Sequence, residues 1–354
     1  MHIEENKPLA PFTTIGIGGP ARWFVEAANE TEIAEAAAWA AERAMKLFVL
    51  GGGSNLLVAD AGFDGLVLRV ALRGIAIAPE TSLYQAAAGE DWDRFVQRTV
   101  EDSCAGLECL AGIPGTVGGT PVQNVGAYGQ EVASAIERVR AFDLQGREFV
   151  EFANGECGFG YRRSRFNSVN RGRYVVTRVD YRLTAGGAPT ARYADLQRAL
   201  AEQGGEAGVA DVAAVVRQVR QGKGMLLVEG DPDCRSAGSF FKNPVVDDEQ
   251  LRRIAAASEP SSLTGKAPPR FAAGPEPENL GRVKVPAAWL IEQAGFVKGY
   301  RLGSAGISSR HTLALVNLGG ASAAEVLVLA DQIAGAVEER FGIRLEMEPV
   351  LLGF

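Results

Sequence analysis

A chain of 354 residues, 47% apolar and 22% charged, is long enough for two or three domains with buried cores and too apolar for general disorder. Its formal charge of −7, from 36 Lys and Arg against 43 Asp and Glu, argues against a nucleic-acid or membrane-surface binder, and no nucleic-acid partner is expected. The 43 glycines follow no three-residue period, which excludes collagen and leaves the question whether they are spacers or chemistry.

Residues 1–8 carry neither a basic leader nor an apolar signal core, and no stretch reaches about 18 apolar residues. A cytoplasmic protein without membrane insertion is therefore expected. Residues 22–26 read as a strand, and Asn29 followed by Glu32 opens a helix to about Met45. The short buried strand 47–50 runs into Gly51-Gly52-Gly53-Ser54-Asn55, and 56–58 and 65–70 look extended. A glycine loop followed by a strand, with Leu56 where a third glycine would stand, is not the Rossmann arrangement, and no P-loop motif occurs. Residues 74–78 and 83–88 read as strands and 92–102 as a helix. A second glycine cluster, Gly112-Ile113-Pro114-Gly115-Thr116-Val117-Gly118-Gly119-Thr120-Pro121, leads to Asn124-Val125-Gly126-Ala127-Tyr128-Gly129. Strands at 139–143 and 174–183 and a helix at 209–221 follow. A new unit begins at 225–244, and 259–278, rich in Pro, Ser, Ala and Gly, reads as a mobile surface insertion. Helices at 286–293 and 323–341 frame a strand at 312–317. Cys104, Cys109, Cys157 and Cys234 lack Cys-x-x-Cys spacing and are expected as buried thiols. With only His2 and His311, neither a metal site nor a serine–histidine triad is expected.

Glycine clusters without a lysine let backbone N–H groups approach a diphosphate, because no Cβ intervenes. The loops at 51–55 and 112–120, with Ser54, Asn55, Thr116 and Thr120 as further donors, would make a groove for one dinucleotide cofactor; tight turns are the alternative. Tyr161-Arg162-Arg163-Ser164-Arg165-Phe166, with Arg171 and Arg173 nearby, is either an anion site or a solvated basic loop. Ser239, between Ala237-Gly238 and Phe240-Phe241, is open to a ligand and screened from water, or else a turn residue. Glu346 and Glu348 share one face of a strand that Pro349 marks as an edge, or are solvated terminal acids.

Taken in order, Pro11-Phe12-Thr13-Thr14-Ile15-Gly16-Ile17-Gly18-Gly19, the loop Leu50–Leu56, the cluster 112–119, Gly160-Tyr161-Arg162-Arg163-Ser164-Arg165-Phe166, Ala237-Gly238-Ser239-Phe240-Phe241-Lys242-Asn243-Pro244 and Leu345-Glu346-Met347-Glu348 resemble the UDP-N-acetylenolpyruvoylglucosamine reductase (MurB) family of bacterial peptidoglycan synthesis. The resemblance covers nearly the whole chain. It implies an α+β fold with two FAD-binding subdomains of the vanillyl-alcohol-oxidase (PCMH) type and a third α+β substrate domain. Residues 1–72, completed by 342–354, and 73–222 would be the FAD-binding parts, and 223–341 the substrate domain.

The same resemblance implies non-covalent FAD with NADPH as reductant. FAD would be held by Leu50, Gly51, Gly52, Gly53, Ser54, Asn55, Gly112, Ile113, Pro114, Gly115, Thr116, Gly118, Gly119, Gly126, Ala127 and Tyr128. The UDP-sugar enolpyruvyl substrate would meet Tyr161, Lys223 at a phosphate, Asn243 and Gln293, with Tyr193 in Arg192-Tyr193-Ala194-Asp195-Leu196 as the lid of the tyrosine-loop subclass. Arg162 and Glu348 would sit at the substrate carboxylate and Ser239 would donate the proton to C2, giving UDP-N-acetylmuramate. A monomer is expected. Pro349 and the long 259–278 insertion depart from the family pattern without removing a chemical group. Another FAD oxidase or dehydrogenase of the same fold, or a non-catalytic nucleotide-binding flavoprotein, are the competing readings.

Overall fold

The computed structural model describes residues 1–203, 207–258, 268–273 and 279–354. The chain divides into two compact units. Met1–Lys7, Pro20–Gly53 and Phe63–Gly222 form the first, and Pro8–Gly19, Ser54–Gly62 and Lys223–Phe354 the second.

The first unit holds a four-stranded sheet in the order Ile3–Pro8, Pro20–Ala27, Phe63–Val70, Leu47–Leu50. Phe63–Val70 runs parallel to both neighbours, with Phe24 opposite Val67 and Val49 opposite Leu68. Leu66, Val67 and Leu68 are all fully buried, as the residues of covered parallel strands are, which is why they read as an unbroken apolar run. The helix Glu30–Glu42 buries Ile33, Ala36 and Ala40 as one stripe, and Asn29 caps it through Glu32 N. It stops three residues short of the expected Met45 because Ala44 takes a left-handed φ of +50°. Met45 N and Ala44 N then close onto Ala40 O and Ala41 O. That Schellman closure is normally signalled by glycine, and an alanine there leaves no mark in the sequence.

The unit's second sheet is antiparallel, in the order Glu148–Ala153, Ile136–Asp143, Tyr174–Arg182, Leu83–Ala87, Ile75–Ala78. Glu148–Ala153 and Ile3–Pro8 lie outside the expected strands: both are charged edges, without the apolar run that marks a covered strand. Glu30 joins the helix to this sheet by a fork with Arg140 at 2.8 and 3.0 Å, which holds its carboxyl below the usual range. Phe166, which ends the arginine-rich motif, is buried against Phe152 and Tyr174.

Arg173, in the turn just before the neighbouring strand, grips Asp143 with Nη2 at 2.5 Å and Nε at 3.0 Å. Asp143 is 3% exposed, and this guanidinium holds its carboxyl down at about 2. A carboxylate with a depressed folded pKa contributes stability that is complete above its unfolded value of about 4 and is lost as pH falls through the folded one. Acid titration should therefore show wild-type stability falling between about pH 4 and 2. Arg173→Met should lose about 2 kcal/mol at pH 7, because it leaves the buried carboxylate with its backbone donor Gln145 N but without its counter-charge. Equal urea midpoints at pH 7 for wild type and variant would contradict this.

The second unit centres on an antiparallel sheet in the order Ser236–Ser239, Ala314–Asn317, Ala305–Ile307, Arg301–Leu302. The helices Ala287–Gln293 and Ala323–Phe341 bury Leu290, Leu329, Ile333 and Val337 into the same core as Leu315 and Ile307. Ser322 and Glu325 cap the longer helix reciprocally, and Asp60 accepts from Ala323 N and Ala324 N at 2.8 and 3.1 Å. The helix Asp248–Ala257, absent from the sequence reading, starts on an Asp247–Gln250 capping box that could have announced it. Most of the 259–278 insertion lies outside the described residues, but within it Phe271–Ala272 pairs with Val283–Lys284. All four cysteines are buried thiols. Among the described residues no helix is long and apolar enough to cross a membrane.

Candidate functional site

Both glycine loops of the first unit leave buried elements and then touch each other. Leu50 ends its strand 2% exposed, the chain turns at Gly51-Gly52-Gly53, and Gly53 has φ +62°. The other loop turns at Gly112 and Gly115, with φ +73° and +137°. A Cβ at Gly52 would lie 2.6 Å from Gly115 Cα, and one at Gly51 would lie 2.8 Å from Thr116 Oγ1. A Cβ at Gly118 would strike Ala88 Cβ at 2.6 Å. These glycines are required first for loop to meet loop and strand, and only then for a ligand to approach.

The second loop is fixed from behind. Asp93 Oδ1 accepts from Gly112 N at 2.6 Å and from Arg217 Nη1 at 2.6 Å, and Arg220 Nε donates to Gly112 O at 3.1 Å. Arg220 is 7% exposed, and burial lowers its pKa. Val117 N and Gly118 N are bonded to Glu90 O and Ala88 O. Thr120, expected as a donor to a ligand, is instead buried, with its hydroxyl on Tyr181 Oη and Val117 O at 2.7 and 2.8 Å. Ile113, Pro114, Gly115 and Thr116 stay half-exposed, as do Gly51 and Gly53, while Gly52 is exposed. Two adjoining stretches of open backbone, four of whose residues lack side chains, suit the diphosphate of a dinucleotide such as FAD.

Gly126–Ala127 pairs with Gln130–Glu131, and Tyr128 and Gly129 between them both have positive φ, +51° and +80°. Two left-handed corners make this a type I′ hairpin. Tyr193, 42% exposed, immediately precedes the helix Ala194–Gln203 and meets Tyr128 edge to face at 6.1 Å.

Arg162 sits in a tight turn closed by Gly160 and Arg163, whose N–H and C=O groups pair at 2.9 and 3.1 Å. Its φ is +53°, a conformation costing a residue with a side chain about 1–2 kcal/mol. Asn167 Nδ2 holds Arg162 O at 3.1 Å, Asn124 Nδ2 holds Gly160 O at 3.0 Å, and Arg162 Nη1 donates to Gly126 O at 3.0 Å. Tyr161 lies beside the guanidinium, 5.7 Å from ring centroid to Cζ. Asn124, itself at φ +45°, binds this turn to the loop before Gly126; sequence reading missed it because nothing local distinguishes it from a loop asparagine. The five neighbouring arginines are not one anion site. Arg173 is committed to Asp143, and Arg165 to Glu156 O and the face of Phe152.

In the second unit Ser239 ends its strand opposite Ala314, after an irregularity in register from the Ser236–Val316 pair. Gly238 has φ +75°, and a Cβ there would meet nothing within 4 Å. The glycine is therefore needed for a bulge that re-aims Ser239, whereas the sequence suggested a need for space. Phe240 O accepts from Glu348 N and Lys242 N donates to Glu346 O, both at 2.9 Å, around the Phe241–Met347 bridge. Glu346 and Glu348 flank Met347 in an extended segment, as expected, but Glu346 is exposed and paired with Lys242 at 3.2 Å while Glu348 is half-buried. Ser239 and Glu348 are thus brought onto adjoining paired segments.

Asn55 donates from Nδ2 to Glu348 O at 3.3 Å and accepts from Val350 N at 2.9 Å, so it braces the backbone on both sides of Pro349. Ser54, like Asn55, is half-exposed and belongs to the second unit. Asn243 Oδ1 accepts from Ala287 N at 2.9 Å at the start of a helix, which turns its NH2 end elsewhere. Gln293 closes that helix, 9% exposed, with its carbonyl on Arg340. Lys223 is half-buried and precedes Gly224, whose φ is +65° and where a Cβ would lie 3.0 Å from Asp233 Cβ. Arg162, Tyr161 and Tyr193 belong to the first unit, and Lys223, Ser239, Asn243, Gln293 and Glu348 to the second.

Residues 231–352 match the C-terminal domain of UDP-N-acetylenolpyruvoylglucosamine reductase, and residues 21–150 match an FAD binding domain. The chain is 46% identical to the UDP-N-acetylenolpyruvoylglucosamine reductase of Streptomyces coelicolor, covering 98% of this chain and 90% of that one. It is 40% identical to the enzyme of the same name from Pseudomonas syringae, over 99% of both. The crystal structure of UDP-N-acetylenolpyruvylglucosamine reductase (MurB) from Thermus caldophilus is similar over 99% of both chains, with TM-score 0.68 and 29% identity.

Proposed function

The chain belongs to the UDP-N-acetylenolpyruvoylglucosamine reductase (MurB) family, and we propose that Arg162, Ser239 and Glu348 carry its reduction of UDP-N-acetylglucosamine enolpyruvate to UDP-N-acetylmuramate, a step of peptidoglycan precursor synthesis. The protein is an oxidoreductase that uses FAD with NADPH. When bound, FAD supplies the hydride, taken from NADPH and delivered to C3 of the enolpyruvyl ether.

The chain's own residues have three tasks. Open backbone at Gly51, Gly52 and Gly53 and at Ile113, Pro114, Gly115 and Thr116 binds the diphosphate, while Leu50, Gly112, Gly118 and Gly119 shape those loops and Gly126, Ala127 and Tyr128 add a hairpin. Ser54 and Asn55 continue the first loop. Arg162 and Glu348 stabilise the charge that spreads from C2 into the substrate carboxylate. Ser239 gives C2 its proton. Tyr161, Tyr193, Lys223, Asn243 and Gln293 hold the UDP-sugar.

One observation carries this assignment: Ser239 and Glu348, 109 residues apart, stand on segments joined by the Glu348 N to Phe240 O bond at 2.9 Å. A nucleotide-binding module would need neither group. The strained turn under Arg162 supports its role, because such strain is characteristic of functional positions. The FAD-binding parts at 1–72 with 342–354 and at 73–222, and the substrate domain at 223–341, belong to the same reading. The separate four- and five-stranded sheets of the first unit support the division of its part of the chain, whereas 8–19, 54–62 and 342–354 pack with 223–341 in the second unit. A cytoplasmic monomer with no nucleic-acid partner completes the reading, and the formal charge of −7 supports its last part.

Anaerobic NADPH should bleach the bound flavin, and the enolpyruvyl UDP-sugar should restore its colour. Bleaching by NADPH with no recovery on adding that sugar would overturn the substrate. Flavin that stays on the polypeptide after denaturation would favour a covalent oxidase of the same fold.

A further inference from the structure

Glu108 takes no part in the chemistry above, yet it is fully buried. A buried carboxyl group is unfavourable unless its lone pairs are filled. Its oxygens accept from Gly106 N at 2.7 Å, Thr190 N at 2.7 Å and Gln130 Nε2 at 3.1 Å. The three donors come from three separate stretches of chain. Gln130, 5% exposed, uses its Oε1 to accept from Cys109 N at 2.9 Å, and the Cys109 thiol donates to Thr190 O at 2.9 Å. Residue 190 is thus held by both its N–H and its C=O.

Two neighbouring positions give this network a consequence. Gln130 faces Ala127 in the hairpin whose tip is Tyr128-Gly129. Tyr193 follows Thr190 by three residues and packs on that tip, and a Cβ at Gly129 would lie 3.5 Å from Tyr193 Cε2. One buried carboxyl group therefore anchors both partners of the Tyr128–Tyr193 contact. We propose that Glu108, acting with Gln130, is a positioning residue that holds the Tyr193 segment against the Tyr128 hairpin, in the arrangement that binds substrate. The proposal rests on the reading of Tyr193 as a substrate-binding residue.

The test uses the FAD-loaded protein carrying Glu108→Met, which removes both acceptor oxygens and leaves Thr190 N and Gln130 Nε2 without their partner. Hydrogen exchange over residues 190–196 should accelerate about tenfold and the KM for the enolpyruvyl UDP-sugar should rise about tenfold, the effect of leaving one buried donor unsatisfied. Meanwhile kcat and the rate of flavin bleaching by NADPH stay unchanged. In a Tyr193→Ala background, Glu108→Met should add nothing further to KM. Unchanged exchange at 190–196 overturns the tether, and a KM increase that persists without the Tyr193 ring shows that Glu108 acts elsewhere and overturns the positioning role. Faster exchange with normal KM in both Glu108→Met and Tyr193→Ala overturns the reading of Tyr193 while leaving the tether standing. If Glu108→Met does not fold or retain FAD, Gln130→Met, which cuts the hairpin's links to Glu108 and to Cys109 N, carries the same measurements.

Discussion

Replacing Ser239 with alanine should leave the bleaching of bound FAD by NADPH unchanged and slow reoxidation by the enolpyruvyl UDP-sugar by about 10²–10⁴-fold, the usual contribution of a positioned general acid. The selectivity follows from what the substitution removes. The Ser239 backbone keeps its register with Ala314, the bulge is set by Gly238, and Phe240 still accepts from Glu348 N. Only the hydroxyl is lost, and NADPH oxidation has no use for it. Stopped-flow absorbance of each half-reaction separates the two. Equal slowing of both would make Ser239 structural, and unchanged reoxidation would move the proton donor to another residue.

How the protein reaches that arrangement was legible only in part. Some elements announced by nearby side chains could be read from the chain: the Asn29 cap and the extended run at 65–70 depend on local spacing, as does the Asp247–Gln250 box that the sequence reading lacks. By spacing alone the glycine loops read either as openings for a ligand or as tight turns. In the folded chain Gly51 and Gly52 make room for Gly115 and Thr116, and Gly238 supplies a left-handed corner. Spacing shows that a residue lacks a Cβ, but not which distant backbone would collide with one. The same limit hid the partner of Asn55, Glu348, 293 residues away, and the role of Asn124, which joins two loops through ordinary amide hydrogen bonds. It also explains why spacing leaves five arginines close in sequence open as an anion site or a solvated loop: Asp143, which claims Arg173, is 30 residues removed. Hydrophobic period encodes which face is buried, while long-range polar pairing is decided only once the sheets have set their registers.

Because the two glycine loops abut, the largest loss of cofactor should come from a single methyl group at an exposed position. Gly52→Ala places a Cβ 2.6 Å from Gly115 Cα and 3.1 Å from Thr116 N, where carbon atoms normally stand about 3.5–4.0 Å apart. The obstruction is backbone, so no side chain can rotate away. The Gly115 side is anchored by Gly112 N on Asp93, Trp92 N on Gly115 O and Val117 N on Glu90 O, so the 51–53 turn must yield by about 1 Å. Overpacking of this kind costs about 1–3 kcal/mol. If both loops contact the diphosphate, the displacement appears as FAD affinity weakened by about ten- to a hundredfold. Gly155→Ala adds the same methyl group where nothing lies within 4 Å and should leave FAD affinity at the wild-type value. Titrating FAD into the apoprotein of each variant and following flavin fluorescence decides the matter. Wild-type affinity in Gly52→Ala would mean that the contact between the loops is structural and that the diphosphate is held elsewhere. Weakened affinity in Gly52→Ala alone would tie the cofactor to the point where the loops meet.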